Sequence, residues 1–361
     1  MRDFVVVGAG PAGARFARSA AERGRDVLVL EQGEIGKPLA CSGHVSLDVW
    51  EYVPDDARDR LFQNDIRGAR FHLGGAGSRA YPFHRDDPIS NAVDRVALDR
   101  TLARAAADAG ADVRDGHTVT AVEEGRDGVT VTARGPDGTE RFDARVVVGA
   151  DGPRSRVRDE CGLPEPDEFL HGVLGFDPDP DDEDFVDVHL TVPGFFAWRI
   201  PRGEAGVEYG LAVSPGDDPN GRFDRLVDGY DAAIDRRCSG LIPVGPPPRV
   251  TGKRSLLVGD AAGQTKPFTG GGILYGMRAA DHAARTVDPA RPETLGDYED
   301  AWRDALRTDQ RLGTAVRAGY SLPDPVQRLG LRAFSGEIGV HMDEPTTLFS
   351  REQLRAMLPG G

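Results

Sequence analysis

The sequence predicts an α/β protein: a parallel-sheet domain, interrupted by a mainly antiparallel β-sheet domain and followed by a helical C-terminal segment. Three observations predict it. A glycine-rich turn, Gly8-Ala-Gly10-Pro-Ala-Gly13, separates a strand-like run from a helix-like run. A short, fully apolar run at 4–7, and similar buried-strand patterns at 27–30, 145–149 and 255–258, are of the kind found in buried parallel strands. Between about 160 and 250 the pattern changes to short β-like segments, as expected of an antiparallel sheet.

Taken in order, residues 4–7 predict the first strand, 14–23 a helix ended by Gly24, and 27–30 the second strand. A loop punctuated by Gly and Pro covers 33–46, and an irregular stretch with strand pieces near 69–73 and 79–83 continues to about 87. Residues 94–109 predict an amphipathic helix, with Val93, Val96, Leu98, Leu102 and Ala105 toward the core. Alternating strands follow at 117–123 and 128–133, then a hairpin turn at 135–138. Within the antiparallel part, strands are expected at 185–191, 195–200 and 206–213, with a helix at 223–236. A helix at 273–285 and a helical tail broken at Pro323, Pro325 and Pro345 complete the chain. The domains expected are 1–68 with 91–158 and 251–290, then 69–90 with 159–250, and a tail over 291–361.

At 361 residues the chain is long enough for about two domains. Its net charge is −15, and only Lys37, Lys253 and Lys266 accompany its many arginines. Such a surface disfavours nucleic acid, which needs clustered positive charge. It suits a salt-rich cytoplasm, where ions screen the self-repulsion; the competing reading is an ordinary acidic, Arg-rich protein. Cys41, Cys161 and Cys238 are far apart with no CxxC pair, so neither a disulfide framework nor a Cys-based metal site is expected. No run of about 18 apolar residues or secretory leader occurs, so the expected location is cytoplasmic, with peripheral contact at a membrane left open.

Three stretches carry the chemistry. In the first, Gly8 permits the tight turn, Gly10 lets the backbone approach a pyrophosphate and Gly13 lets helix pack on strand; Ala12 lies within the turn. Glu31 ends the second strand 18 residues after Gly13, where a carboxylate accepts hydrogen bonds from ribose hydroxyls. This much leaves NAD and FAD undecided. The second stretch, Gly149-Ala-Asp151-Gly-Pro-Arg-Ser155, reads alone as an Asp-Gly turn capped by Ser155. In the third, Gly259-Asp260-Ala-Ala-Gly263 precedes Pro267 and Gly270-Gly271-Gly272-Ile273; Asp260 suits a sugar-alcohol chain, and the glycines let backbone N–H groups reach an anionic ring edge.

In this order and spacing, the stretches resemble the fold of p-hydroxybenzoate hydroxylase-like flavoproteins. The resemblance implies a Rossmann-type FAD-binding domain. It implies that Arg95 reaches the phosphates, that Val119 touches the adenine side through its backbone, and that Asp260 holds the ribityl chain. The competing reading of Arg95 is a surface helix arginine.

Two further segments, a Pro38-x-x-Cys41 loop with Ser42 and His44, and Pro193-Gly-Phe-Phe196-Ala-Trp198-Arg-Ile200-Pro201, resemble the geranylgeranyl reductase family. That resemblance, with the acidic composition, points to a haloarchaeal member. It implies that the loop lies against the flavin, with Cys41 as the catalytic candidate, and that Phe196 and Trp198 line an apolar slot for a polyprenyl lipid or isoprenoid chain. Phe196 stands where that family has Tyr, Ile200 where it has Phe, and His44 where it has a small residue. A slot of this kind needs apolar walls because an isoprenoid chain offers no charge to grip; Phe195, Phe196 and Trp198 can line one or fill a sheet core. The implied reaction is reduction of isolated C=C bonds by reduced flavin. An electron donor is not visible in the sequence: NAD(P)H, a ferredoxin or another carrier all remain. Two other functions stay open, an aromatic monooxygenase and a flavin electron carrier without small-molecule turnover.

Overall fold

The first strand, Arg2–Val7, places Phe4, Val5, Val6 and Val7 in full burial, because parallel strands cover it on both edges and layers cover both faces. The computed structural model describes residues 1–38 and 41–336. Val27–Leu30 and then Asp112–Arg114 extend the sheet on one side. Gly138–Gly149 lies on the other and is longer than the expected 145–149. Its first half pairs antiparallel with Val129–Gly135, closing at Gly135 and Gly138, and alternates exposed with inward residues. Its end, residues 146–149, is buried and pairs parallel with Ser255–Leu257. Apolar run length therefore marked only the doubly covered half. Thr118–Glu124 completes this seven-stranded sheet. Helix Pro11–Ala21 packs between helices Arg95–Asp108 and Ile273–Thr286. Val96, expected inside, is half-buried.

The second seven-stranded sheet runs in the order Arg236–Val244, Glu168–Asp177, Val207–Val213, Ala197–Pro201, Phe185–His189, Gly68–His72 and Ala80–His84. All neighbours are antiparallel except Phe185–His189 with Gly68–His72. The strand expected at 195 starts at Ala197 instead, because Pro193 and Gly194 (φ +71°) form a turn closed by the Phe195 amide on the Val192 carbonyl. The helix expected at 223–236 spans Pro219–Gly229, capped by Asp218; it stops where Asp231 takes a left-handed conformation (φ 54°), and Arg236 already belongs to a strand. It covers one face of the sheet through Phe223 and Val227. On the opposite face one row of cross-strand neighbours reads Cys238, Leu174, Gly210, Trp198 and Val188.

A small sheet of His44–Ser46, Ser90–Val93 and Phe62–Ile66 replaces part of the stretch expected to be irregular. The tail forms helices Leu295–Gly319 and Asp324–Phe334, with Pro323 between them and Pro325 in the first turn of the second. Pro345 lies outside the described residues.

Candidate flavin and substrate site

The glycine turn is shaped by contacts that a side chain would break. Gly8 has φ +100°, and a Cβ there would lie 2.3 Å from the Ala150 carbonyl oxygen. A Cβ on Gly13 would lie 2.1 Å from the Gly8 oxygen. Gly10 differs: nothing lies within 4 Å of the corresponding point, so this flank of the turn is open. No side chain caps the helix that starts here, so its N-terminal amides are available to an anion. Ala12 is a seam, because Cβ atoms on Gly259 and Gly276 would sit 2.9 and 3.2 Å from its methyl group. Glu31 accepts from the Ala9 amide at 2.7 Å and the Gln32 amide at 3.0 Å, fixing its carboxylate at the mouth of the turn. The His117 amide donates to the Glu31 carbonyl at 2.7 Å. Val119, two residues further, is buried where the strand ladder shifts register, at the same end of the cradle.

The second stretch forms the capped turn its residues predict. Asp151 accepts from Ser155 Oγ and from the Arg156 and Val157 amides. Arg158, fully buried, donates to the carbonyls of Pro153 and Ala261 and so ties this turn to the third stretch.

In the third stretch, Gly259–Ala262 is a single 3-10 turn. Gln264 accepts from the Gly259 amide and donates to the Tyr298 hydroxyl, which donates to the Leu257 carbonyl. This scaffold is absent from the sequence reading, since Tyr298 comes from a distant helix. Asp260 is half-buried and its carboxylate accepts no hydrogen bond from the described residues. Desolvation pushes its pKa up to about 6, and Arg95 is near enough to pull against that. Gly272 backs onto it: a Cβ there would lie 2.7 Å from Asp260 Oδ1. A Cβ on Gly271 would meet Lys266 at 2.8 Å, and Gly270 takes φ +71°. Pro267 is buried against Gly313 of the long helix. Ile273 is half-buried and opens helix Ile273–Thr286, whose N-terminus has no side-chain cap.

Arg95 is buried, which excludes the surface-arginine reading. It grips Asp99 through Nε and Nη2 at 3.0–3.2 Å, and Nη1 reaches the Ser42 carbonyl at 3.5 Å. Burial opposes its charge, but Asp99 and Cys41 outweigh that and raise its pKa. Cys41 is exposed, yet surrounding protein desolvates its thiol. That desolvation pushes its thiol above the ordinary value; Arg95 opposes, while Asp260, Asp99 and Glu208 add to the rise. The Ser42 hydroxyl accepts from the His44 amide, and the His44 ring is 2.7 Å from Ser90 Oγ. The structure thus gathers Cys41, Arg95 and Asp260 in one place, with Glu31 and the Gly8–Gly13 turn along the adjoining cradle.

The aromatic segment divides. Phe195 has no exposure and belongs to the core cluster of the second sheet, as does the nearly buried Phe196. Phe196 stacks on Phe195 at 4.5 Å and meets Trp198 and Tyr320 edge-on at 5.8 and 5.7 Å. Trp198 is half-buried and lies over Gly210, where a Cβ would come within 2.4 Å of its ring. Its Nε1 donates to Glu208, which Arg202 also holds, at 2.6 Å. Arg202 donates in turn to Gln63 and to the Val93 carbonyl, and it abuts Gly43, two residues after Cys41. Glu208, Arg202, Gln63 and Gly210 carry no motif; only pairing of distant strands brings them here.

The open flank at Gly10 and the unpartnered carboxylate of Asp260 fit the pyrophosphate and sugar-alcohol portions of FAD. Models described as FAD binding domain match residues 3–64 and 69–213. The chain is 33% identical over 342 residues to digeranylgeranylglycerophospholipid reductase 1 of Methanopyrus kandleri, covering 84% of this chain and 87% of that one. It is 31% identical over 337 residues to digeranylgeranylglycerophospholipid reductase of Methanothrix thermoacetophila, covering 84% and 83%. Among solved structures, a geranylgeranyl bacteriochlorophyll reductase-like protein from Thermoplasma acidophilum matches with a TM-score of 0.86 at 22% identity, over 99% of this chain and 95% of that one. A p-nitrophenol 4-monooxygenase from Pseudomonas putida matches with a TM-score of 0.72 at 19% identity, over 92% of each chain. These two likenesses describe the fold, which is p-hydroxybenzoate hydroxylase-like; the sequence relatives decide the family. The cofactor is FAD, and the chain belongs to the geranylgeranyl reductase family of FAD-dependent oxidoreductases.

Proposed function

We propose that this protein reduces isolated C=C bonds in the geranylgeranyl-type chains of a polyprenyl lipid, working at a membrane surface. The observation that carries the reading is the line of Tyr320, Phe196 and Trp198, which lies on the sheet face turned toward the Cys41 loop. When bound and reduced, FAD supplies a hydride for one alkene carbon. The other carbon needs a proton, and the Cys41 thiol holds one at neutral pH because its surroundings disfavour the thiolate. Arg95, Asp260, Glu31 and the amides after Gly10 hold the cofactor. Phe196 and Trp198 confine the alkene and exclude water. The two electrons come from a separate donor, NAD(P)H or a ferredoxin-type carrier. The acidic, Arg-rich surface suits a salt-rich, haloarchaeal-type cytoplasm.

The test is anaerobic. Protein reduced with dithionite is mixed with a digeranylgeranyl lipid, and flavin absorbance and lipid mass are followed. Flavin reoxidation with a gain of two hydrogens per turnover is expected. Unchanged lipid beside flavin that stays reduced would overturn the proposal, and oxygen with a phenol then tests monooxygenation.

A further inference from the structure

Six large apolar side chains are markedly exposed among the described residues, and three of them, Leu322, Val326 and Leu329, fall within one short segment. They are 47%, 49% and 70% exposed. Val326, Leu329 and the exposed Ala333 follow helical spacing on Asp324–Phe334, with Leu322 in line just before it. The inner side of this helix carries Gln327 and Leu331, and none of the residues 324–333 is buried. It is held at its ends. Gln327 donates to the carbonyls of Gly319 and Tyr320, and Gly336 exchanges backbone hydrogen bonds with the strand edge at Pro82 and His84.

Beside the apolar stripe stand Arg328 and Arg332, one turn apart and both exposed. In a chain of net charge −15, neither has a carboxylate partner among the described residues. The only acid of the helix, Asp324, is at its start. An apolar ridge flanked by unpaired arginines matches the two layers of a phospholipid surface, acyl chains beneath anionic headgroups. The ridge begins two residues after Tyr320 in the chain, and the Tyr320 ring abuts Phe196, which abuts Trp198.

We infer that helix Asp324–Phe334 docks the protein on an anionic phospholipid surface, Leu322, Val326 and Leu329 entering the acyl boundary and Arg328 and Arg332 meeting phosphates. This rests on the lipid-reductase reading for its biological sense, but its test does not need turnover. The full-length holoenzyme is sedimented with vesicles of phosphatidylglycerol and phosphatidylcholine, and with phosphatidylcholine alone. Binding to the anionic vesicles is expected. The pair Arg328→Gln with Arg332→Gln should weaken it by about thirtyfold, the loss for two basic groups near such a surface. The pair Val326→Ser with Leu329→Ser should weaken it with flavin absorbance unchanged. In a separate variant, Leu329→Trp, the added emission should shift to the blue on vesicle addition and be quenched by brominated acyl chains. Wild-type protein left in the supernatant, or both pairs binding as wild type does, would overturn the inference. So would loss of a dimer in Val326→Ser with Leu329→Ser without change in vesicle binding, since the ridge would then cover a second copy of the chain. Vesicle binding without lipid reduction would remove only the reductase reading.

Discussion

The indole Nε1 of Trp198 donates a 3.0 Å hydrogen bond to Glu208, a carboxylate with no solvent exposure that also receives Arg202 at 2.6 Å. The bond lies along a diagonal between neighbouring strands, since Trp198 is paired with Gly210 and Glu208 with Ile200. Gly210 provides the space for the ring and Glu208 fixes its polar edge.

Removing one member of that pair should be costly. Glu208→Leu leaves Arg202 buried without its carboxylate and should destabilise the protein by about 3–5 kcal/mol. Glu208→Gln keeps an acceptor for Trp198 and should lose less. Urea titration followed by tryptophan emission checks both; equal stability of Glu208→Leu and wild type would show that the pair is not holding the sheet.

The glycines of the first turn should separate folding from binding. Gly10→Ala has open space and extended backbone, so the variant should fold with an unchanged melting temperature while losing FAD affinity at least about tenfold through obstruction of the pyrophosphate approach. Gly13→Ala meets the Gly8 oxygen and should unfold or fail to accumulate. Differential scanning calorimetry of apoprotein and flavin titration measure the two effects. Full FAD affinity in Gly10→Ala would remove this turn from the site.

Asp260 should set a pH dependence of the apoprotein. Its pKa rises from 3.8 unfolded to about 6 folded, so the ionised form is the costly one. The cost is absent below about pH 4, grows as pH rises through about 6 and is complete above it, reaching about 3 kcal/mol. Asp260→Asn should therefore stabilise apoprotein at pH 8 and do little at pH 4, yet weaken FAD binding. Melting curves of both proteins across that range decide it; a difference that does not vary with pH would contradict the assignment.

The Cys41 thiol should alkylate slowly for an exposed cysteine. Its raised pKa leaves less thiolate at pH 7.5 than an ordinary cysteine has, and the rate should climb well into the alkaline range. Iodoacetamide labelling with peptide mapping distinguishes it from Cys161 and Cys238, whose pKa values burial pushes up to about 11. Cys41→Ala should keep the flavin and slow lipid reduction by roughly a hundredfold. Rapid labelling at neutral pH, or full turnover in Cys41→Ala, would remove Cys41 as the proton source.

The sequence by itself determined the cofactor domain and the family. Residues 4–7, 27–30 and 256–258 are apolar because both faces of a parallel sheet are covered, and the glycines at 8 and 13 are local necessities of a turn that comes close to other backbone. Local requirements of that kind are legible without coordinates. The tertiary structure alone decided which way shared residues served. Phe195 is fully buried and Trp198 only half-buried, and a turn at Pro193 and Gly194 delays the strand to Ala197. Glu208, Arg202 and Gln63 met around Trp198, and Tyr298 reached under Asp260's turn, because strands and helices far apart in sequence pack together. Such contacts leave no periodicity, since each depends on register between elements that the chain folds side by side.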